Sequence, residues 1–502
     1  MDQMKKSDKE DIEREALVPQ STTTFTVTDA IEFSGFRKFQ YVSCAICGLS
    51  WIASSTLIML LAILGPSLKC EWQLSTVEQA LCTTFVFAGW MVASPVWGRI
   101  CDIYGRRKGL IATAAAGFIF GIFTVFSPSF YVFLACRFGV GFAVAGQAQS
   151  ITHTSEFLPS ANRAKWMIIL KSFFAIGTAI LTGLAIFILP NFGWRWLVAY
   201  AAFPMGFFGI CCWWLPESAR FDVAQGKIVE VSSESCYENK PKLFPARATL
   251  ERIARFNGSS LPDGELVAEN QESSSSNMVD LLKPSHRRTT IQLWFMWTLF
   301  GLLYYGVAIY TTLLLHSPAD QCGVVDDHSS RVKRGAVVEP CRHLTSENYI
   351  DIIVTTMSEV PGYILTMYAV DIIGRRATFA IGFAIVSACS AALTICLPRF
   401  LTVTALFVCR SAIGAVFQAG YIYTSEVYPT SLRAQGLGVA SGFGRFGSMI
   451  TPLITRILFA HNLVFPAIVY VIGGIVGAVL SILLPIETRT NRVSKAVKTS
   501  QS

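Results

Sequence analysis

Four charged side chains stand inside long apolar stretches of the sequence, where a charge is costly. They are Arg137, Lys171, Glu359 and Arg410. Such a residue in a membrane segment faces the protein interior, finds a partner and marks a pathway for solutes or ions. Glu359, in Met-Ser-Glu-Val-Pro-Gly, is the one acidic residue deep in such a stretch and would suit a proton relay. The alternative for the arginines is a buried ion pair that holds helices together.

A second set of charges lies in short polar loops between apolar stretches. Gly98–Lys108 reads Gly-Arg-Ile-Cys-Asp-Ile-Tyr-Gly-Arg-Arg-Lys, and a reduced copy follows at Asp371–Arg376. An Asp at a helix end can pair with Arg or cap a neighbouring helix. These charges therefore predict a gating switch that does not touch the solute, or, alternatively, they only set the topology. The predicted gating pairs are Asp102 with Arg106, Asp371 with Arg375, Glu156 with Arg163 and Glu426 with Arg433, and Arg107 and Arg376 complete the set.

Amide and aromatic side chains within the apolar stretches are candidates for lining a solute cavity, since such cavities are apolar with a few polar groups. Singly, each of them is more often a core or interface residue. The predicted pathway set consists of Gln147, Gln149, Tyr304, Tyr305, Gln418 and Tyr421, together with Arg137, Lys171, Glu359 and Arg410.

Several function classes are disfavoured by what the sequence lacks. We find no Gly-rich phosphate cradle, no nucleophile motif and no cysteine spacing typical of a metal site. Most of the 14 cysteines lie in apolar stretches, where they act as small hydrophobic residues. The net charge of +8 comes from short loops and does not indicate nucleic-acid binding. We expect no enzyme activity, no cofactor and no metal, and the polar N-terminus predicts no signal peptide.

The elements that carry these residues are predicted to be membrane-spanning helices. Hydrophobic residues make up 52% of the 502 residues and charged residues only 15%. About 20 apolar residues span a bilayer, and strict two-residue alternation is absent, which favours helices over strands. The twelve predicted spans are 41–65, 78–98, 109–126, 130–152, 167–190, 196–215, 291–315, 349–370, 377–397, 400–423, 434–459 and 463–485.

These spans divide the chain into two helical halves with polar segments around them. We predict a cytosolic tail at 1–40, a six-helix half at 41–215, a cytosolic linker at 216–290, a second six-helix half at 291–485 with an outer loop at 316–348, and a cytosolic tail at 486–502. Lys and Arg in the short loops favour both termini on the cytosolic side. Because the outer loop faces an oxidising compartment, we predict first a disulfide between Cys322 and Cys341. The alternative is that these two and Cys70 are free.

Four motifs of the first half return in the second half at offsets of 269 to 273 residues. They are Asp-x-x-Gly-Arg-Arg at Asp102 and Asp371, Arg-x-x-x-Gly at Arg137 and Arg410, the acidic turn at Glu156 and Glu426, and Leu-Pro at Pro216 and Pro485. The common order predicts parallel repeats, with a solute site between the halves near the membrane midplane.

The Gly-x-x-x-Asp-x-x-Gly-Arg-Arg-Lys loop between the second and third spans resembles that of the major facilitator superfamily. Gly193-Trp-Arg-Trp-Leu, Pro216-Glu-Ser-Ala-Arg-Phe and Tyr421-Ile-Tyr-Thr-Ser-Glu-Val-Tyr-Pro429 resemble its synaptic vesicle two-related (SVOP) and SVOP-like subfamily. The resemblance implies an all-α membrane protein with twelve transmembrane helices in two six-helix pseudo-repeats. It also implies transport of a small organic solute by alternating access, a helix-4 Arg137 tied to ion coupling, and a vesicle or plasma membrane location.

Two departures from that resemblance bear on the mechanism. The resembling proteins carry acidic residues where this chain has Ser54, Ser55 and Thr56, and Glu or Gln where it has Lys171. A proton-coupled or organic-cation mechanism is therefore weakened. The sequence leaves open a second interpretation, a transporter-like vesicle protein or ligand receptor that does not transport.

Overall fold

The computed structural model describes residues 24–224, 244–267, 278–316, 345–395 and 397–488. The described residues form helices and one two-residue strand pair, and they fall into two compact units. The small unit takes the described parts of Met1–Val42, Glu156–Arg163 and Pro216–Glu272, and the large unit takes those of Ser43–Ser155, Ala164–Leu215 and Ser273–Ser502. The all-α fold expected from the sequence is confirmed.

The first half of the chain forms long helices joined by short turns. After β1 (Thr24–Phe25) and α1 (Val27–Ser34) they are α2 (Lys38–Trp72), α3 (Thr76–Tyr104), α4 (Arg106–Val125), α5 (Phe130–Val144), α6 (Ala148–Glu156), α7 (Ser160–Phe192) and α8 (Trp194–Cys211). A 3-10 turn at Ala145–Gln147 joins α5 to α6, so one predicted span is a broken helix.

The second half repeats this pattern after α9 (Phe244–Asn257), β2 (Glu265–Leu266) and a 3-10 turn at Met278–Leu282. Its helices are α10 (Arg287–His316), α11 (Ser346–Met357), α12 (Glu359–Ile372), α13 (Arg375–Ala392), α14 (Arg399–Val427), α15 (Thr430–His461) and α16 (Phe465–Ile482). Here the break falls between α11 and α12, directly before Glu359.

Each of the twelve predicted spans coincides with one helix or one broken helix in this series. Among the described residues, eight helical segments are long and apolar enough to cross a membrane. The span predicted at 349–370 is not among the eight because its break leaves α11 and α12 with 12 and 14 residues, each too short to cross a bilayer alone.

Glycines bring α3 and α5 into backbone contact. A Cβ built on Gly141 would lie 1.9 Å from the carbonyl oxygen of Val86, and one on Gly89 would lie 2.2 Å from that of Phe138. Only glycine permits this approach, since a methyl group there would collide with backbone that cannot rotate away. Gly141 belongs to the Arg137 motif, so the motif positions that arginine against α3.

Gly141→Ala is expected to lower the apparent melting temperature of the purified protein, at a cost of about 1–3 kcal/mol for an overpacked core. The repeat supplies a matched control. A Cβ on Gly414, its counterpart, would lie 3.3 Å from its nearest neighbour, the Tyr363 ring, which is a far milder overlap, so Gly414→Ala should cost far less. Equal melting temperatures for the two variants would contradict this account of the α3–α5 contact.

The small unit is built from segments predicted as tail and linker. Its core includes Phe25, Ile31 and Leu250, and β1 pairs in parallel with β2. Asn257 is buried and accepts a hydrogen bond from the backbone of Phe39 at 2.8 Å. Burial, and then the nearby Glu217, raise the pKa of Asp222 to about 6. The folded protein therefore binds this proton more tightly than the unfolded chain does. The stability that this protonation gives the folded state is lost as pH rises through that value.

The cysteines predicted to form a bridge, Cys322 and Cys341, lie outside the described residues. Cys70 is disulfide-bonded, so the alternative that all three are free does not hold.

Candidate functional site

The first gating motif lies at the turn between α3 and α4, where Gly105 has φ +107°. We call this end of the helices, which also carries the α12–α13 turn, the motif end. Asp102 and Arg106 lie 3.0 Å apart, and Arg106 also donates to Oε1 of Gln149 at 2.9 Å. Arg107 donates to the carbonyl oxygen of Trp213 at 2.8 Å, just beyond the end of α8. Gln149, predicted for the solute pathway, is thus held among the motif charges.

The second gating motif, at the α12–α13 turn, is more extensive. Arg375 is 1% exposed and donates through Nε and Nη2 to the two carboxylate oxygens of Glu426, both at 2.9 Å. Asp371 lies 3.5 Å from the same guanidinium. A bidentate Arg–carboxylate pair is among the stronger polar contacts in proteins. This motif is therefore tied to α14 by a buried ion pair.

Two residues of this motif were missed in the sequence. Glu487 accepts hydrogen bonds from the backbone nitrogens of Arg375 and Arg376, each at 3.0 Å, and so caps the N-terminus of α13. Thr488 donates to Glu426 at 2.6 Å. The signal that could have found them is the repeated Leu-Pro motif, because these residues lie two and three positions after Pro485.

The two pairs predicted at a spacing of seven residues do not form. Arg433 is exposed, and Glu426 is bonded to Arg375 instead. Arg163 donates to the carbonyl oxygen of Leu158 at 3.2 Å. A proline stands between the two members of each predicted pair and starts a new helix, so the residues do not share one helical face.

Glu359 is the centre of a buried polar cluster within the second half. It is 2% exposed and forms an ion pair of 2.8 Å with Arg410. Its other carboxylate oxygen accepts hydrogen bonds from the hydroxyls of Tyr304 at 2.7 Å and Tyr363 at 3.1 Å. The cluster joins α10, α12 and α14 and is electrically balanced. Tyr363 was not predicted, although it lies one helical turn after Glu359.

Arg137, the counterpart of Arg410 in the first half, has a different environment. It is fully buried, and none of its three guanidinium nitrogens has a hydrogen-bond partner among the described residues. Its guanidinium carbon lies 5.3 Å from the centre of the Phe133 ring. Both side-chain polar atoms of Gln147 are likewise buried without a partner in the described part of the chain. The two halves therefore share the motif but not its electrostatics.

The side chain of Lys171, from α7 in the first half, contacts aromatic rings of α14 in the second half, within the large unit. Its ammonium nitrogen lies 3.8 Å from the centre of the Tyr421 ring, 5.0 Å from Phe417 and 5.7 Å from Trp51. These are cation–π distances. Lys171 is 9% exposed, so a cation is held in an aromatic enclosure to which both halves contribute.

Arg445, near the middle of α15, extends this enclosure. Its guanidinium lies 4.3 Å from the centre of the Trp90 ring of α3. It also interacts electrostatically with the Tyr421 hydroxyl and repels the ammonium group of Lys171. Tyr305 packs against Phe87 with ring centres 4.5 Å apart. We call Lys171, Arg445, Trp51, Trp90, Phe417 and Tyr421 the central cluster. Gln418, next to Phe417, is buried, and its amide oxygen has no partner in the described residues.

Arg456 was not recognised in the sequence as a functional candidate. It is buried in α15 and donates to Gln79 at 3.2 Å and to the carbonyl oxygen of Leu61 at 3.5 Å. Thr84 likewise donates across the halves to the carbonyl oxygen of Met449 at 3.2 Å. A charge inside the predicted span 434–459 was the available signal. These bonds join the two halves toward the end opposite the motif end.

The described residues contain no group of three or more His, Cys, Asp or Glu that could hold a metal ion. The polar groups offered by the central cluster are ammonium, guanidinium, indole and phenol.

Comparisons with known proteins give consistent matches over most of the chain. A model described as Major Facilitator Superfamily matches residues 44–323 and 343–501. The chain is 41% identical over 468 residues to a synaptic vesicle 2-related protein of Pongo abelii, covering 93% of this chain and 82% of the relative. It is 29% identical over 519 residues to organic cation/carnitine transporter 7 of Arabidopsis thaliana, covering 95% and 98%.

A solved structure shows the same fold. The xylose transporter XylE from E. coli, in a partially occluded inward open conformation, superposes with a TM-score of 0.65 at 14% identity, covering 90% of this chain and 99% of that one.

Proposed function

The chain belongs to the major facilitator superfamily of membrane transporters, and we propose that it carries a small organic solute by alternating access through its central cluster. The observation that supports this is the meeting of Lys171, from the first half, with Tyr421 and Phe417, from the second. A site shared by two repeats can be opened to either side when the repeats rock against each other.

Other polar contacts lie near the two ends of the helices, where an alternating-access transporter opens and closes. Three hydrogen bonds between the halves, at Arg456 and Thr84, lie toward the end opposite the motif end. The Arg375–Glu426 and Arg106–Asp102 pairs each stay within one half. We propose that the contacts at Arg456 and Thr84 part when that end opens, and that the motif charges exchange partners as the halves rock.

The side of the membrane and the solute class are part of the proposal. Lys and Arg in the loops of the motif end support cytosolic termini. The relatives named for synaptic vesicles support a vesicle membrane, with the plasma membrane as the second location. The relatives named for carnitine and xylose support a small organic solute.

Alternating access is tested by preventing the halves from parting. Thr84→Cys with Met449→Cys, bridged by a bifunctional thiol reagent in proteoliposomes, is expected to reduce uptake at least tenfold. The solutes assayed are L-carnitine, tetraethylammonium, 2-naphthalenesulfonate and D-xylose. Each single cysteine variant treated with the same reagent is the control, because it carries the label without the bridge.

Undiminished uptake by the bridged protein would contradict alternating access. If the unmodified protein binds one of these solutes but takes up none of the four, a ligand receptor is favoured over a transporter.

A further inference from the structure

We infer that the solute is an organic anion with a flat apolar body, held between Lys171 and Arg445 in the central cluster. The inference rests on the proposed function and adds the chemical class of the solute.

The balance of charge in the centre of the molecule is positive. Glu359, the buried carboxylate nearest to this region in the described residues, is already bonded to Arg410 and to two tyrosine hydroxyls. Within the described part of the chain, neither Lys171 nor Arg445 has a carboxylate at ion-pair distance; both instead face aromatic rings. Cations that face aromatic rings and have no carboxylate at ion-pair distance favour an anionic ligand, because the ligand supplies the missing charge.

The polar atoms of the central cluster offer mainly hydrogen-bond donors. Lys, Arg and the indole nitrogen of Trp donate and do not accept. The indole nitrogens of Trp51 and Trp90 are buried and have no partner in the described residues, and Trp90 as a whole is 9% exposed. A carboxylate, sulfonate or phosphate group is rich in acceptors and complements such a set, whereas an ammonium group would compete with it.

The surfaces between these donors are aromatic. The rings of Tyr421 and Phe417 lie 5.7 Å apart, centre to centre, and those of Phe87 and Trp90 are stacked at 6.2 Å. Flat faces of this kind favour planar apolar groups. The site therefore fits an anion whose body is aromatic or otherwise flat, and does not fit a cation, which would be repelled by both Lys171 and Arg445.

The test uses two fluorescent probes of similar size that keep their charge at every pH. They are 2-naphthalenesulfonate and N,N,N-trimethyl-2-naphthylmethylammonium. Binding to the full chain in detergent is measured by the shift in melting temperature, and uptake is measured in proteoliposomes at one ionic strength. The anion is expected to bind and to show saturable uptake at least tenfold above that of the cation.

Variants assign the preference to the central cluster. Lys171→Met and Arg445→Gln are each expected to lower anion uptake at least tenfold, while Lys171→Arg keeps the charge and retains the preference. Lys165→Gln removes an exposed charge from the same helix and should leave uptake unchanged. Elution of each variant as a single peak from gel filtration shows that it is folded, and Lys171→Arg keeps the test decisive if Lys171→Met does not fold.

The possible outcomes test the anion site and the transport cycle separately. Uptake of the cation, uptake without charge preference, or no binding of the anion would overturn the anion site. Anion binding that depends on Lys171 but is not followed by uptake would support the site and overturn the proposed transport.

Discussion

Replacing Arg410 with Met is expected to destabilise the protein by about 3–5 kcal/mol, because it leaves a buried carboxylate without its cation. Glu359 is 2% exposed and would keep only the hydroxyls of Tyr304 and Tyr363. The measurement is the free energy of unfolding in a denaturant titration of the purified protein. We expect a large loss because water cannot reach the charge that remains.

The double variant Arg410→Met with Glu359→Gln should recover most of that loss, since it removes both charges. The repeat again supplies a control. Arg137→Met removes a buried guanidinium that has no hydrogen-bond partner in the described residues, so it should be neutral or stabilising. A loss for Arg137→Met as large as that for Arg410→Met would mean that the two arginines are equally compensated, against the structure.

The sequence could predict contacts between residues that are close together in the chain. Asp102 and Arg106, and Asp371 and Arg375, are four residues apart, on either side of a tight turn that joins two helices. The Arg375–Glu426 pair, 51 positions apart, could not be found in this way. The predicted partner of Glu426 was Arg433, which is nearer in sequence, but Pro429 starts a new helix between them.

The central cluster could be predicted only in part, because apolar segments leave helix rotation unspecified. A helix that is apolar on all sides gives no periodic signal for the face it turns inward. Lys171 and Tyr421 were both candidates, but nothing in the sequence joined them, and Gln149 was assigned to the pathway although it bonds to Arg106. Arg445 and Arg456 lie in the same helix, yet only the packing of α15 against α3 shows their different partners.

The ion pairs at the motif end differ in burial between the two halves, and this difference predicts the second large effect. Glu426→Gln is expected to destabilise the protein by about 3 kcal/mol, the lower end of the range for breaking a buried pair. The side chain of Arg375 is 2% exposed and that of Glu426 is 18% exposed. Glutamine keeps the size of the side chain but cannot provide the second anionic oxygen for the bidentate contact. The measurement is again a denaturant titration.

Asp102→Asn is the matched change in the first half, and it should cost less than about 1 kcal/mol, as exposed pairs do. Asp102 is 62% exposed and Arg106 is 20% exposed, so water can replace the lost charge. If stability were instead equally sensitive at both sites, the burial of Arg375 would not be what ties its motif to α14. A larger loss for Glu426→Gln would locate the stronger anchor of the motif end in the second half, where Glu487 and Thr488 reinforce it.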